Sequence, residues 1–166
     1  MWYMPTPVTV SIDVPHDPET VFDFLDVMSN HEPFNDHLMR DWVLSGPPRG
    51  VGSRARVTTR ALGMSDVVDI EVIDVEAPTR IVERNTAAKA GRTGEGTYLL
   101  AQLPDGGTRV TFEYRWIVAP LIDRVTAPVA RAYIRRNNTT AMRRLGEQLD
   151  RHNIILKEVL DNQVSL

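Results

Sequence analysis

The side chains able to do acid–base chemistry near neutral pH are four histidines, His16, His31, His37 and His152. No two stand at the spacing that lets one helix face hold a metal ion. The chain has no cysteine, which excludes thiolate catalysis, disulfides and cysteine-ligated metals. No metal, nucleotide or other cofactor is implied. A Gly-x-Ser-x-Gly nucleophile elbow is absent as well. His31 and His37 read as solvated loop residues, with a general acid or base as their alternative role.

A second group of chemically capable residues lies at period-two spacing. Val110, Phe112, Tyr114 and Trp116 alternate with Thr111, Glu113 and Arg115, so one face of this segment is aromatic and the other wet. Tyr114 and Trp116 join a large apolar body to a hydrogen-bonding end. That suits the wall of a small-molecule pocket, and it equally suits packing against a helix. Tyr98 directs a hydroxyl from a similar face, after Gly94 and Gly96, whose missing side chains permit a bend or leave room for a ligand. With Gly91 these glycines do not make a phosphate loop, because a strand follows where a helix N-terminus is required.

In the segment 81–86, Ile81, Glu83 and Asn85 face one way while Val82, Arg84 and Thr86 face the other. Either Glu83 or Arg84 must therefore turn inward unless a bulge intervenes. An inward charge needs a partner or an open pocket mouth, and so marks a functional polar contact or a site at the rim. Asn138 falls on an apolar helical stripe with Ile134, Ala141, Met142, Leu145 and Leu149. It reads as lying at the stripe's edge, with ligand contact as the alternative, because a buried amide needs partners.

The elements that must position these residues follow from periodicity and turns. Val8–Val14 alternates as a strand, and Asp17 is placed to cap a helix that begins at Pro18. A second short helix is expected around Pro33–Met39. Turns near 46–50, 62–64, 77–78, 89–91 and 104–107 separate strands near 41–45, 53–61, 66–76, 80–88, 93–103 and 108–118. Connections this short force antiparallel neighbours. An apolar lead-in with Pro120 and Pro128 precedes a long helix over 127–152, with Thr126 as its expected cap. The expectation is one α+β domain over 1–166, with its core at 8–152 and a C-terminal extension at 153–166.

Composition bounds the partners. The 166 residues carry a net charge of −3, so the total gives no support to binding nucleic acid or an anionic surface. The arginines of the last helix read as a solvated, partly salt-bridged face, with Glu147 one turn beyond Arg143 and Arg144. Arg54 and Arg56 are expected to pair with the acids Asp69 and Glu71 on the outer sheet face. The opening MWYMPTPVTVSID lacks the pattern of a signal peptide, and no apolar run approaches the roughly 20 residues of a membrane span. A soluble cytoplasmic protein without stable membrane insertion is expected. The apolar residues after His152 suggest a fold-back or a homodimer through the C-terminal extension.

The element order, the passage VTVSIDVPHDPETVFDF at 8–24, the hairpin LLAQLPDGGTRVTF at 99–112 and the apolar-proline lead-in resemble the START-like superfamily. That superfamily includes the Bet v 1 proteins and the polyketide cyclase/dehydrase family. The resemblance implies a helix-grip fold, with a seven-stranded curved antiparallel sheet wrapped around a long C-terminal helix and two short helices after the first strand. It also implies a cavity between sheet and helix for a small apolar ligand such as a lipid or polyketide, with His31 and His37 near its entrance. Many relatives carry a Trp-Asn-Pro-like passage where this chain has Pro33-Phe34-Asn35-Asp36-His37. Ligand binding is the leading reading, and Tyr98, Phe112, Tyr114, Trp116, Asn138, Glu83, Arg84 and His37 are its candidate residues. A polyketide cyclase/dehydrase-type enzyme and a protein-interaction module like the superfamily's co-chaperone domains are the alternatives.

Overall fold

A computed structural model describes residues 6–61 and 63–164. Its first strand, β1 (Val8–Val14), buries Val8, Val10 and Val14. The chain then turns through Pro15. Asp17 accepts the backbone N–H of Thr20 at 2.8 Å, and Pro18 occupies the first helical position, where no donor is needed. The resulting helix α1 (Pro18–Leu25) buries Val21, Phe22, Phe24 and Leu25. A single 3-10 turn (Met28–His31) leads into α2 (Glu32–Asn35). The second helical segment thus begins earlier than the sequence suggested, and His31 belongs to it instead of to a loop.

Six strands follow: β2 (Met39–Ser45), β3 (Arg54–Ala61), β4 (Met64–Glu76), β5 (Arg80–Ala87), β6 (Arg92–Gln102) and β7 (Thr108–Val118). All pair antiparallel, in the spatial order β1-β7-β6-β5-β4-β3-β2. The register shifts in β2 (between Arg40 and Val43), β4 (between Val72 and Asp74) and β7 (at Ile117, between the partners of Thr93 and Gly94) are where bulges bend the sheet. On its outer face Arg54 pairs with Glu71 at 3.0 Å and Arg56 with Asp69 at 2.7 Å, as the alternation implied.

Pairing sets the inward residues in rows. One row runs Val8–Tyr114–Gly96–Glu83–Val72, and a neighbouring one Val10–Phe112–Tyr98–Ile81. Above them lie α1, the 3-10 turn, α2 and the last helix, whose apolar side chains close the core.

The passage between β7 and that helix is not merely a lead-in, for it forms a short helix α3 (Leu121–Val125). Thr126 donates its hydroxyl back to the Ile122 carbonyl at 2.7 Å, so this side chain ends α3. The last helix, α4 (Ala127–Val164), has 38 residues and is roughly 57 Å long. It buries Ala141, Met142, Leu145 and Leu149. Gly146 faces β1, where an added Cβ would stand 3.2 Å from Ile12 Cδ1; the one glycine of the helix allows this close approach. Arg135 donates to the Thr9 carbonyl at 3.2 Å, and Arg131 to the carbonyls of Thr6 and Pro7. These contacts occupy the Thr9 carbonyl of the edge strand β1 and two carbonyls just before that strand, where another strand could otherwise pair. Beyond His152 the helix continues with Ile154, Ile155, Leu156, Val159 and Leu160 exposed. Residues 1–5 of the expected non-signal N-terminus and 165–166 of the expected extension lie outside the described residues.

Candidate functional site

The parity of β5 decides which charge turns inward. Glu83 is 5% exposed on the concave face. Arg84 faces outward, where it donates to Glu95 at 3.0 Å. An isolated carboxylate in this interior would be costly. It is met by His31, whose Nδ1 lies 3.1 Å from Glu83 Oε1.

His31 is therefore no solvated loop residue, for it is 3% exposed. Its Nε2–H donates to the Leu25 carbonyl at 2.7 Å, which fixes that proton. Burial opposes a second proton, but the neighbouring Glu83 carboxylate outweighs burial and holds the imidazole pKa above its ordinary value. Apart from this ion-pair contact, Oε1 has no hydrogen-bond partner among the described residues. Tyr98 packs beside the pair, its ring centroid 5.8 Å from His31 and 4.7 Å from Phe112. Burial, assisted by the Glu83 charge, pushes the Tyr98 hydroxyl well above the usual phenol range. At neutral pH it is a hydrogen-bond donor.

Four further buried polar atoms lack partners: Asn85 Oδ1, Asn138 Nδ2, His37 Nδ1 and, just before β3, Ser53 Oγ. Asn85 lies two residues from Glu83 on the same face of β5. Asn138 lies on α4. His37, after α2, donates Nε2–H to the Asn137 carbonyl of α4 at 3.1 Å. Burial, together with the Arg144 charge, lowers the His37 pKa, which leaves Nδ1 a bare acceptor. Unpartnered buried polar atoms thus occur both on the sheet, at Glu83 and Asn85, and on the helical side, at His37 and Asn138.

Gly94 and Gly96 make room, though for protein rings. A Cβ at Gly96 would stand 2.7 Å from Phe112 Cζ, and one at Gly94 would stand 2.3 Å from Tyr114 Oη. Tyr114 meets Trp116 edge-on, with centroids 5.2 Å apart. Burial pushes its hydroxyl up to about 12, with Arg92 opposing and Asp123 adding. Trp116 donates its indole N–H to Asp123 at 3.0 Å, and Arg92 grips the same carboxylate through two contacts of 2.6 Å. Burial would raise the Asp123 pKa, but these hydrogen bonds prevail and lower it. The polar end of Trp116 is therefore committed to anchoring α3.

Two concavities on the described surface lie away from the space between sheet and α4. One, of about 310 Å³, is on the convex face beside Asp74, Arg80, Glu95 and Arg115. The other, of about 200 Å³, is bordered by Met28, Leu44, Pro47 and Ser53. Among the described residues no cluster of His, Asp and Glu is arranged to hold a metal ion, and no helix is long and apolar enough to cross a membrane.

This geometry agrees with the sequence match. The family model described as polyketide cyclase/dehydrase and lipid transport matches residues 5–150. The chain belongs to that family. Comparison with curated proteins returned no match. Among solved structures the family fold recurs in the KanY protein, at TM-score 0.70 and 14% identity, over 89% of this chain and 99% of that one. A START superfamily protein from Mycobacterium smegmatis aligns at TM-score 0.69 and 12% identity, over 89% and 99% of the two chains. A protein from Thermus thermophilus aligns at 0.66 and 18%, over 86% and 96%. At these identities the likeness is one of fold.

Two buried or half-buried ion pairs escaped the sequence. His31–Glu83 joins residues far apart in the chain, and only the β5 parity question pointed toward it. Arg92–Asp123 depends on α3, whose five residues carry too little periodicity to be seen.

Proposed function

We propose that this family member binds a small, largely apolar molecule between the sheet and α4, with the polar end of the ligand on Glu83, Asn85, His37 and Asn138. The set of buried polar atoms without partners carries this reading. Leaving such a group unfilled costs about 1–3 kcal/mol, and native interiors complete most of them with protein, water or ligand. Tyr98, Phe112 and Tyr114 would supply the apolar wall and Trp116 ring surface alone. Family membership supports a ligand-binding fold of this kind.

The test is native mass spectrometry of protein taken directly from cells, before and after organic extraction. A discrete additional mass that extraction removes is the expected result. A bare chain that also takes up no apolar fluorophore would overturn the reading.

The His31–Glu83 pair favours a second reading, in which the bound molecule reacts. The pair holds a proton in a site closed to bulk water, beside a phenol that keeps its own. Such a set could move a proton to or from a carbonyl compound of the polyketide type. Tyr98→Phe would then abolish turnover while affinity survives, whereas pure binding predicts only an affinity change.

The exposed apolar residues of 153–164 support a contact with a second copy. Light scattering of the whole chain and of one ending at His152 tests this: a dimer lost on trimming is expected, and a monomer in both contradicts it.

A further inference from the structure

Another surface stands apart from the interior and from the C-terminal extension. Leu121, Ile122 and Val125 of α3, and Val129 at the start of α4, are 75%, 63%, 73% and 68% exposed. Asp123 on α3 points inward to Arg92 and Trp116. At helical spacing this leaves Leu121, Ile122 and Val125 together on the opposite, outer face. Val118 and Tyr133 extend the apolar surface on either side.

The charge around this patch has one sign. From Asp123 to Glu147 the sequence has six arginines and no acid in between, although the whole chain is at −3. Two of these six are neutralised at the far end of the stretch, Arg143 by Glu147 and Arg144 by Asp36, as are Arg54 by Glu71, Arg56 by Asp69 and Arg109 by Asp13 elsewhere. Arg131 and Arg135 instead donate to the backbone carbonyls of Thr6, Pro7 and Thr9, which leaves their charge uncancelled. Arg136 follows Tyr133 by three residues on the exposed side of α4.

We infer that α3 and the first turns of α4 form a docking surface for an anionic lipid bilayer. The apolar side chains would enter the headgroup boundary while the arginines meet lipid phosphates, the arrangement of interfacial amphipathic segments. A second copy of this chain fits less well, because a two-fold contact would set the same arginines against one another. The extension, with Lys157, Glu158 and Asp161 among its apolar residues, carries mixed charge and lacks this bias. Docking at the surface requires no membrane-spanning helix, and it does not depend on what the interior holds.

Vesicle flotation tests the inference, using phosphatidylcholine vesicles with and without phosphatidylglycerol. The full chain floats with the anionic vesicles at low salt and is released as salt rises. Ile122→Asp with Val125→Asp lowers the bound fraction about tenfold, Arg136→Glu lowers it several-fold, and Ile155→Asp with Val159→Asp leaves it unchanged. Circular dichroism establishes that each variant is folded, and Arg136→Glu decides if the double variant is not. Absence of flotation, equal flotation on neutral vesicles, or a wild-type dimer that Ile122→Asp with Val125→Asp splits would each overturn the inference.

Discussion

Nδ1 of His31 and Oε1 of Glu83 stand 3.1 Å apart, joining the 3-10 turn behind α1 to the centre of the sheet. Both side chains are almost wholly withdrawn from water. Removing one member of such a pair leaves the other uncompensated, at a cost of about 3–5 kcal/mol. His31→Leu should therefore destabilise strongly in urea unfolding, while His31→Leu with Glu83→Leu should recover most of the loss. Additive losses in the double variant would show that the two residues are not energetically coupled.

The pair also sets a pH dependence. His31 holds its proton to a higher pH in the folded chain than at its ordinary 6.5. The stability it contributes is complete below about 6.5 and is lost as pH rises through the raised value. Thermal midpoints should fall across that window in the wild type. The fall should be absent in His31→Gln, when each variant is compared with its own midpoint at the acid end.

Gly96 sets how close β6 comes to the Phe112 ring. A methyl group there would stand 2.7 Å from Cζ, so the ring must move into the interior or the strand must shift. Gly96→Ala should cost about 1–3 kcal/mol and should weaken ligand uptake, since the displaced ring would occupy the proposed binding space. Unchanged stability and uptake would mean that the interior has slack where the packing has none.

Most of the fold was legible because its signals are local. Alternation placed β1 and β7, turn residues separated the middle strands, and Asp17 before Pro18 marked α1. The candidate site was legible only in part. Alternation narrowed the inward charge to Glu83 or Arg84 but could not choose, because the choice depends on which face of β5 meets α1 and the 3-10 turn. His31 read as a loop residue because its partners, Leu25 O and Glu83, come from packing. The glycines of β6 suggested space for a ligand, whereas Tyr114 and Phe112 fill it from the neighbouring strand.

Asp123 gathers Arg92 and Trp116 onto α3. Asp123→Asn would keep the shape but lose the ionic grip, at about 2–3 kcal/mol for the charged hydrogen bonds. Hydrogen exchange at α3 amides should quicken, while amides of β4 and β5 keep their protection. Uniform loosening of all three would show that α3 is not a separately anchored element.

The central claim is that a ligand's polar end completes the buried atoms of Asn85 and Asn138. The side-chain amide resonances of these two residues report on it directly, followed by NMR as the extracted molecule is titrated back into the protein. Both should shift along saturable curves with a common midpoint, while the exposed amide of Asn162 stays in place. Shifts confined to the convex face around Arg80 and Glu95, with Asn85 and Asn138 unmoved at saturation, would contradict it.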